Sequence, residues 1–422
     1  MKKFFRLLAV ALCAIMVYNG VNADLVNAQP SGILVGDSQN VPGTGAAIVI
    51  DFATGEVLWE RNSNVRRGLA SMSKAFTAFI VYEEIAAGRL SLDTMITISQ
   101  NAANASRSTT LQGNQNIHLT AGAQHSVDTL LQVIMLPSSN GACIAVAEHI
   151  AGSVANFTQM MNRVAQDLGG WAEFVDPHGG NPRGAAANRT TAYTVGRLVY
   201  TFIYRHPDIL RITGQNAVSF QGEVGTDRNN TNLLIRPDQQ WFFEGADGFR
   251  TGTTQEAGFC LSASAYRDGH RVITVVMGNS NNDGRYGDTH RLLNWGLNEA
   301  VARAEARRIH VQLNGNALEF DVAPVMVNDR VLVPMRAIFE ALGAEIDWNE
   351  QNQTITATLY NGNIVSLTIE NYLAAVNGEY FHLDVSPQII NDRTLVPIRF
   401  VAEATGASAD WNPDMRTVII VQ

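Results

Sequence analysis

The sequence predicts an α+β protein, strands around a long helical middle, followed by a small duplicated α+β domain. Two observations predict it. Up to about residue 308, strand-like segments come first and last while helical periodicity fills the middle. From about Ile309 onward a set of short motifs recurs 63 positions later, the mark of a duplicated unit. With 422 residues, 46% of them hydrophobic, the chain has material for more than one core.

The first element is a leader. Lys2, Lys3 and Arg6 form a positive n-region and Leu7 to Val17 an apolar stretch, and small residues at cleavage spacing end at Ala23 or Ala28. Residues 1–28 are therefore expected to be a signal peptide, which makes the protein secreted, extracellular or cell-wall associated. The apolar run is too short to span a bilayer comfortably, and no other run of about 18 apolar residues exists, so no transmembrane anchor is expected. Losing the leader removes three cations and only Asp24, leaving the chain more acidic than its formal −9. That charge argues against nucleic acid as a partner. Cys13 lies in the leader. Cys143 and Cys260 lack metal-ligand spacing, and two buried thiols are favoured over a disulfide.

Ala46–Asp51 and Val57–Glu60, separated by Ala53-Thr54-Gly55, are predicted to form a hairpin. A helix is expected through Lys74–Ile85. Helices over 127–136 and 142–151 should flank a polar tip, Pro137-Ser138-Ser139-Asn140-Gly141. Gly258–Ala265 and Val272–Met277 read as paired strands and His290–Arg308 as a closing helix. In the C-terminal part, Asp321-Val-Ala-Pro324, Asn328-Asp-Arg330 and Asp347-Trp-Asn349 return as Asp384-Val-Ser-Pro387, Asn391-Asp-Arg393 and Asp410-Trp-Asn412. Each copy is expected to place strands around one short helix such as Arg336–Leu342. Nothing in it clusters reactive side chains, so binding or spacing is its expected role.

One residue points to chemistry. Lys2, Lys3 and Lys74 are the only lysines in a chain with 30 Lys+Arg, so wherever a cation alone suffices this sequence uses arginine. Arginine cannot release its proton, whereas a desolvated lysine can. Ser71 precedes Lys74 by three positions, which puts both on one helical face, and a neutral lysine can activate a serine hydroxyl. Ser-x-x-Lys alone occurs by chance in many chains; two further stretches make a constellation of it. Ser138 and Asn140 can relay a proton and orient a substrate carbonyl. Arg250-Thr251-Gly252-Thr253 at a strand edge suits an extended peptide ending in a carboxylate. Taken singly, each has a bland reading as a polar turn.

In this order the three elements resemble the Ser-x-x-Lys, Ser-x-Asn and Lys-Thr-Gly set of penicillin-binding proteins and serine β-lactamases. The closest resemblance is to the low-molecular-mass serine D-alanyl-D-alanine carboxypeptidases. It covers about residues 42–300 and includes AAIVIDFATGEVLWERN, SSNGACIAVAEHIAGS, NTNLLI and DGFRTGTTQEAGFCLSASA. The resemblance implies a β-lactamase/transpeptidase-like fold over residues 29–305, an antiparallel sheet with helices plus a helical lobe, with no cofactor and no metal. It implies a peptidoglycan stem peptide ending in D-Ala-D-Ala as substrate and β-lactams as covalent inhibitors. Ser71 would be the nucleophile, Lys74 its base, Ser138 and Asn140 the second motif, and Arg250, Thr251, Gly252 and Thr253 the substrate-binding third. The N–H groups of Ser71 and Thr253 would form the oxyanion hole. Arg250 departs from the lysine usual at that position. Residues 309–422 resemble the duplicated module named after the N-terminal domain of copper amine oxidases, a name that implies no copper here, and are expected to bind wall or act as a spacer.

A class A β-lactamase would need a Glu-x-x-x-Asn loop, and Glu173 has no asparagine four residues on; Asp176-Pro177 fits the carboxypeptidases' turn better. A non-catalytic wall-binding protein is the rival of a different class, against which the retained Ser71, Lys74, Ser138 and Asn140 weigh. The sequence has neither Gly-x-Ser-x-Gly nor His-Glu-x-x-His.

Overall fold

The computed structural model describes residues 41, 43–107, 117–180, 187–220 and 226–422, so the expected signal segment 1–28 lies outside the described residues. The chain folds as two units that divide after Val301. In the first, a five-stranded sheet is built from β1 (Ala46–Asp51), β2 (Val57–Arg61), β3 (Ala246–Thr254), β4 (Gly258–Arg267) and β5 (His270–Asn279). Their order is β3-β4-β5-β1-β2, every neighbouring pair is antiparallel, and β3 forms one edge. The expected hairpin is β1–β2 and the expected strand pair is β4–β5.

Strand β1 is buried along its whole length. Ala46, Ile48 and Ile50 enter the core of the helical lobe, while Ala47 and Val49 enter a second core containing Leu292, Leu293 and Leu297. A strand covered on both faces has no polar side, so it reads as an unbroken apolar run. The second core lies under α4 (Asn282–Arg307), where a Cβ on Gly296 would stand 2.7 Å from Val49 Cγ1. The helix therefore packs as closely as glycine permits. It starts eight residues before the expected His290, because Asn281 caps it by accepting the Gly284 N–H at 2.6 Å. The Asn-Asn-Asp-Gly composition had concealed that start.

The helical lobe contains α1 (Ser73–Ala86), α2 (Val127–Met135) and α3 (Asn140–Ala151), together with Gln100–Arg107 and Val154–Asp167. Ser73 to Tyr82 of α1 are all buried, which makes it a central rather than an amphipathic helix. Ser126 and Ser139 cap α2 and α3 by accepting the N–H groups of Thr129 and Ala142. One boundary differs from expectation: α3 starts at Asn140, inside the predicted polar tip, whose residues 137–141 are buried.

The second unit draws one core from both repeats, with Val331, Val333, Ile338 and Phe339 packed with Val396, Ile398, Val401, Val418 and Ile420. The copies interlock. His310–Leu313 pairs with Thr417–Val421 in parallel, and Arg330–Pro334 pairs with Arg393–Pro397 antiparallel. Ion pairs repeat the exchange: Arg330 meets Asp384 at 2.7 Å and Arg393 meets Asp321 at 2.6 Å. The short helices span Met335–Ala341 and Ile398–Ala404. Among the described residues no helix is long and apolar enough to cross a membrane.

Candidate active site

Ser71 lies in the 3-10 turn Ala70–Met72 that leads into α1, and Lys74 lies in the first turn of α1. Three-residue spacing brings side chains into line in a 3-10 turn as well, and Lys74 Nζ donates to Ser71 Oγ at 3.1 Å. Nζ also donates to Asn140 Oδ1 and to the His178 carbonyl, each at 2.7 Å. Lys74 has no exposed surface. Burial pulls its pKa down to about 7, assisted by the Arg250 cation and opposed by Cys143 and Asp176. As an ammonium Nζ donates to all three acceptors; once deprotonated it keeps two N–H bonds and gains one lone pair. Two carbonyl oxygens at 2.7 Å take the hydrogens, which leaves the lone pair for the Ser71 hydroxyl.

The His178 carbonyl is held by a fastened turn. Asp176 Oδ1 accepts the N–H groups of His178 and Gly179 at 2.8 and 2.5 Å. Asn188 Oδ1 accepts from Val175 N and Asp176 N, while its Nδ2 donates to Ser73 Oγ at 3.0 Å. The His178 ring is neutral: Nδ1 accepts the Gly180 N–H, and burial pushes its pKa down to about 4. Its closeness to Asp176 is thus not an ion pair.

Ser138 Oγ donates to Ser71 Oγ at 3.2 Å from a backbone with φ of 77°, and Ala70, just before Ser71, has φ of 48°. Such conformations cost about 1–3 kcal/mol each and collect at functional sites. Asn140 offers its oxygen to Lys74 while its buried Nδ2 has no partner among the described residues. That nitrogen is a buried donor left without an acceptor, and Asn140 stands behind the cleft wall, not on it.

Arg250–Thr253 lie within β3 at the sheet edge, paired with β4 in the register Arg250↔Ser262 to Thr253↔Phe259. A Cβ on Gly252 would stand 2.5 Å from the Leu69 carbonyl and 3.1 Å from Ser71 N. Only glycine lets this strand lie against the turn that carries Ser71. A cleft of about 410 Å³ opens there, its walls including Ser71, Ser138, Thr231, Thr251, Thr253 and Arg285. Among the described residues no Asp or Glu lines it. Arg250 is not among the lining residues. Its guanidinium is 1% exposed and donates through Nη1 to Thr231 Oγ1 at 2.7 Å, and burial lowers its pKa to about 10, still cationic at neutral pH. Two cations stand on the wall, Arg236 and Arg285, and it is Arg285 of α4 whose Nη1 donates to Thr253 Oγ1 of β3 at 3.1 Å.

The structure therefore brings together Ser71, Lys74, Ser138 and Asn140 by direct hydrogen bonds, with Thr251, Gly252 and Thr253 on the adjoining wall and Arg250 behind it. Sequence reasoning missed Arg285, Thr231 and the His178 carbonyl. Arg285 follows Arg250 at a distance that carries no local signal, and Thr231 stood inside NTNLLI without an assigned role. Glu173, the carboxylate considered for a lactamase loop, is exposed and does not line the cleft. Cys143 and Cys260 are buried free thiols, and burial pushes Cys143 up to about 12. Among the described residues no group of three or more His, Cys, Asp or Glu could hold a metal ion.

A serine hydroxyl facing the lone pair of a buried lysine, at the junction of a helical lobe and a sheet edge, belongs to the serine acyl-transfer class of active-site serine proteins. Comparison with known proteins makes the assignment specific. Residues 37–281 match the family D-alanyl-D-alanine carboxypeptidase, and residues 312–420 match the copper amine oxidase N-terminal domain. The chain belongs to the D-alanyl-D-alanine carboxypeptidase family. It is 30% identical over 254 residues to the D-alanyl-D-alanine carboxypeptidase DacD of Escherichia coli, covering 60% of this chain and 62% of that protein. Against DacF of Bacillus subtilis it is 31% identical, covering 60% and 62%. The match thus spans about three fifths of these relatives. Among solved structures, penicillin-binding protein D2 of Listeria monocytogenes in its ampicillin-bound form superimposes with a TM-score of 0.51 at 28% identity, covering 64% of this chain and 99% of that one. The carboxypeptidase DacD of Francisella tularensis gives 0.54 at 26% identity, covering 85% and 95%.

Proposed function

We propose that this protein removes the terminal D-alanine from peptidoglycan stem pentapeptides through an acyl-enzyme on Ser71. The observation that carries the reading is the setting of Lys74, whose two carbonyl acceptors leave its lone pair on the serine. Lys74 takes the Ser71 proton as Oγ bonds to the carbonyl carbon of the penultimate residue. The N–H groups of Ser71 and Thr253 stabilise the oxyanion, a contribution of about 3–4 kcal/mol per donor in such sites. The proton then passes by way of Ser138 to the departing nitrogen, the C–N bond breaks and D-alanine leaves. Water cleaves the ester and restores Ser71. Asn140 Nδ2 orients the substrate carbonyl, and the terminal carboxylate is held by Arg285 with Thr251 and Thr253, while Arg250 adds positive potential from behind the strand.

β-Lactams would acylate the same serine, a reading supported by the ampicillin-bound relative. Export by residues 1–28, catalysis by 29–305 and wall binding or spacing by 309–422 complete the proposal. The test is release of D-alanine from a stem pentapeptide together with covalent labelling by a fluorescent penicillin. Absence of both overturns the reading. Turnover of the penicillin in preference to the peptide would favour a β-lactamase.

A further inference from the structure

We propose that Thr231 is the positioning residue that lets an arginine serve as the cation of the third motif in this chain, an inference that rests on the acyl-transfer reading of the site. Thr231 Oγ1 accepts from Arg250 Nη1 and from Thr251 Oγ1, both at 2.7 Å. Those two bonds fill both lone pairs of a hydroxyl. The backbone of Thr231 is tied as firmly. Its N–H donates to the Leu136 carbonyl, two residues before Ser138, and its carbonyl accepts from Tyr286 Oη at 3.0 Å on α4, next to Arg285. Thr231 thus joins the segment bearing Ser138, the strand bearing the third motif and the helix bearing Arg285.

Its own place is fixed by its neighbours. Asn230 donates to the carbonyls of Thr213 and Gln215 and accepts the Asn232 N–H, and Asn232 accepts the Leu234 N–H. Both asparagines are buried. A guanidinium is wider than an ammonium and must find acceptors lying in its own plane. At 1% exposure, with Nε and Nη2 of Arg250 lacking partners among the described residues, Thr231 Oγ1 is the short contact that sets its direction.

The test uses the full chain and compares Thr231→Val, Thr231→Ser, Arg250→Lys and the Thr231→Val/Arg250→Lys double variant. D-alanine release, penicillin acylation rate and melting temperature are measured for each. Valine keeps the shape and removes the acceptor, so Thr231→Val should lower kcat/KM about ten- to a hundredfold, as for a lost hydrogen bond to a charged group. Thr231→Ser should recover most of it at a similar melting temperature. In the double variant, Arg250→Lys should cost less than it does alone, since the bond is already gone. Thr231→Ala replaces the valine variant if valine fails to fold. A Thr231→Val enzyme as fast as the parent, a serine variant no better than the valine one, or independent effects in the double variant would overturn the proposal. A parent protein that neither releases D-alanine nor labels with penicillin overturns the reading of the site and this inference with it, whereas an active parent with an insensitive Thr231 overturns the inference alone.

Discussion

Lys74 and Arg285 are two cations with opposite requirements, and the site treats them accordingly. As the proposed base Lys74 must be neutral, and it is enclosed completely, its pKa falling to about 7. Because the reactive form is the deprotonated one, the acylation rate should rise as pH increases through about 7 and level off above it. A rate that falls over that interval would contradict the assignment of the base. Ser71→Ala should abolish both D-alanine release and penicillin labelling. Lys74→Arg should cost about 10²–10⁴ in rate, because arginine keeps the charge and loses the base. Arg285→Leu should mainly raise KM for the peptide, since on the proposed reading it removes a cation that would hold the terminal carboxylate; a change in kcat alone, read from steady-state kinetics, would place that carboxylate elsewhere.

At the scale of elements, catalysis depends on how closely strand β3 approaches the turn before α1. Gly252 makes the approach possible, and an added methyl would meet the Leu69 carbonyl at 2.5 Å. Gly252→Ala should therefore push the strand away from Ser71. A displacement of about 1 Å can cost about 10²-fold in rate, so penicillin acylation should drop by that order while circular dichroism stays unchanged. Acylation at the parent rate would show that the strand is not held in register with the nucleophile. The turn carrying His178 is a second such element. It presents a backbone carbonyl, not a side chain, to Lys74, so only its supports, Asp176 and Asn188, are open to mutation.

At the scale of the molecule, the two units have separate hydrophobic cores. Ending the chain near Arg308 should leave hydrolysis of a soluble peptide unchanged while retention on purified cell walls falls. A truncated protein that is folded yet inactive would show that catalysis needs residues 309–422. Within the second unit, the reciprocal pairs Arg330–Asp384 and Arg393–Asp321 are solvent-exposed. Each should contribute less than about 1 kcal/mol, so Asp384→Asn should barely move the urea midpoint of that unit. The shared core is what holds the two copies together.

The sequence by itself determined the parts whose signals are local or repeated. The single lysine beyond the first three residues, its serine three positions earlier, the apolar run of β1 and the 63-residue recurrence can each be read without knowing what packs against what. Tertiary structure decided the rest. Lys74 meets Asn140 across 66 positions and His178 across 104, and no periodicity encodes such distances. Burial decided that the tip around Ser138 closes inward, since its polar composition matches that of an exposed turn. It also decided which arginine faces the cleft. Arg250 and Arg285 are the same residue type, each beside polar neighbours, and only the side of the strand and helix on which each emerges puts one behind β3 and the other on the wall. Side-chain chemistry is written in the chain, but the exclusion of water that makes a lysine a base is a property of everything folded around it.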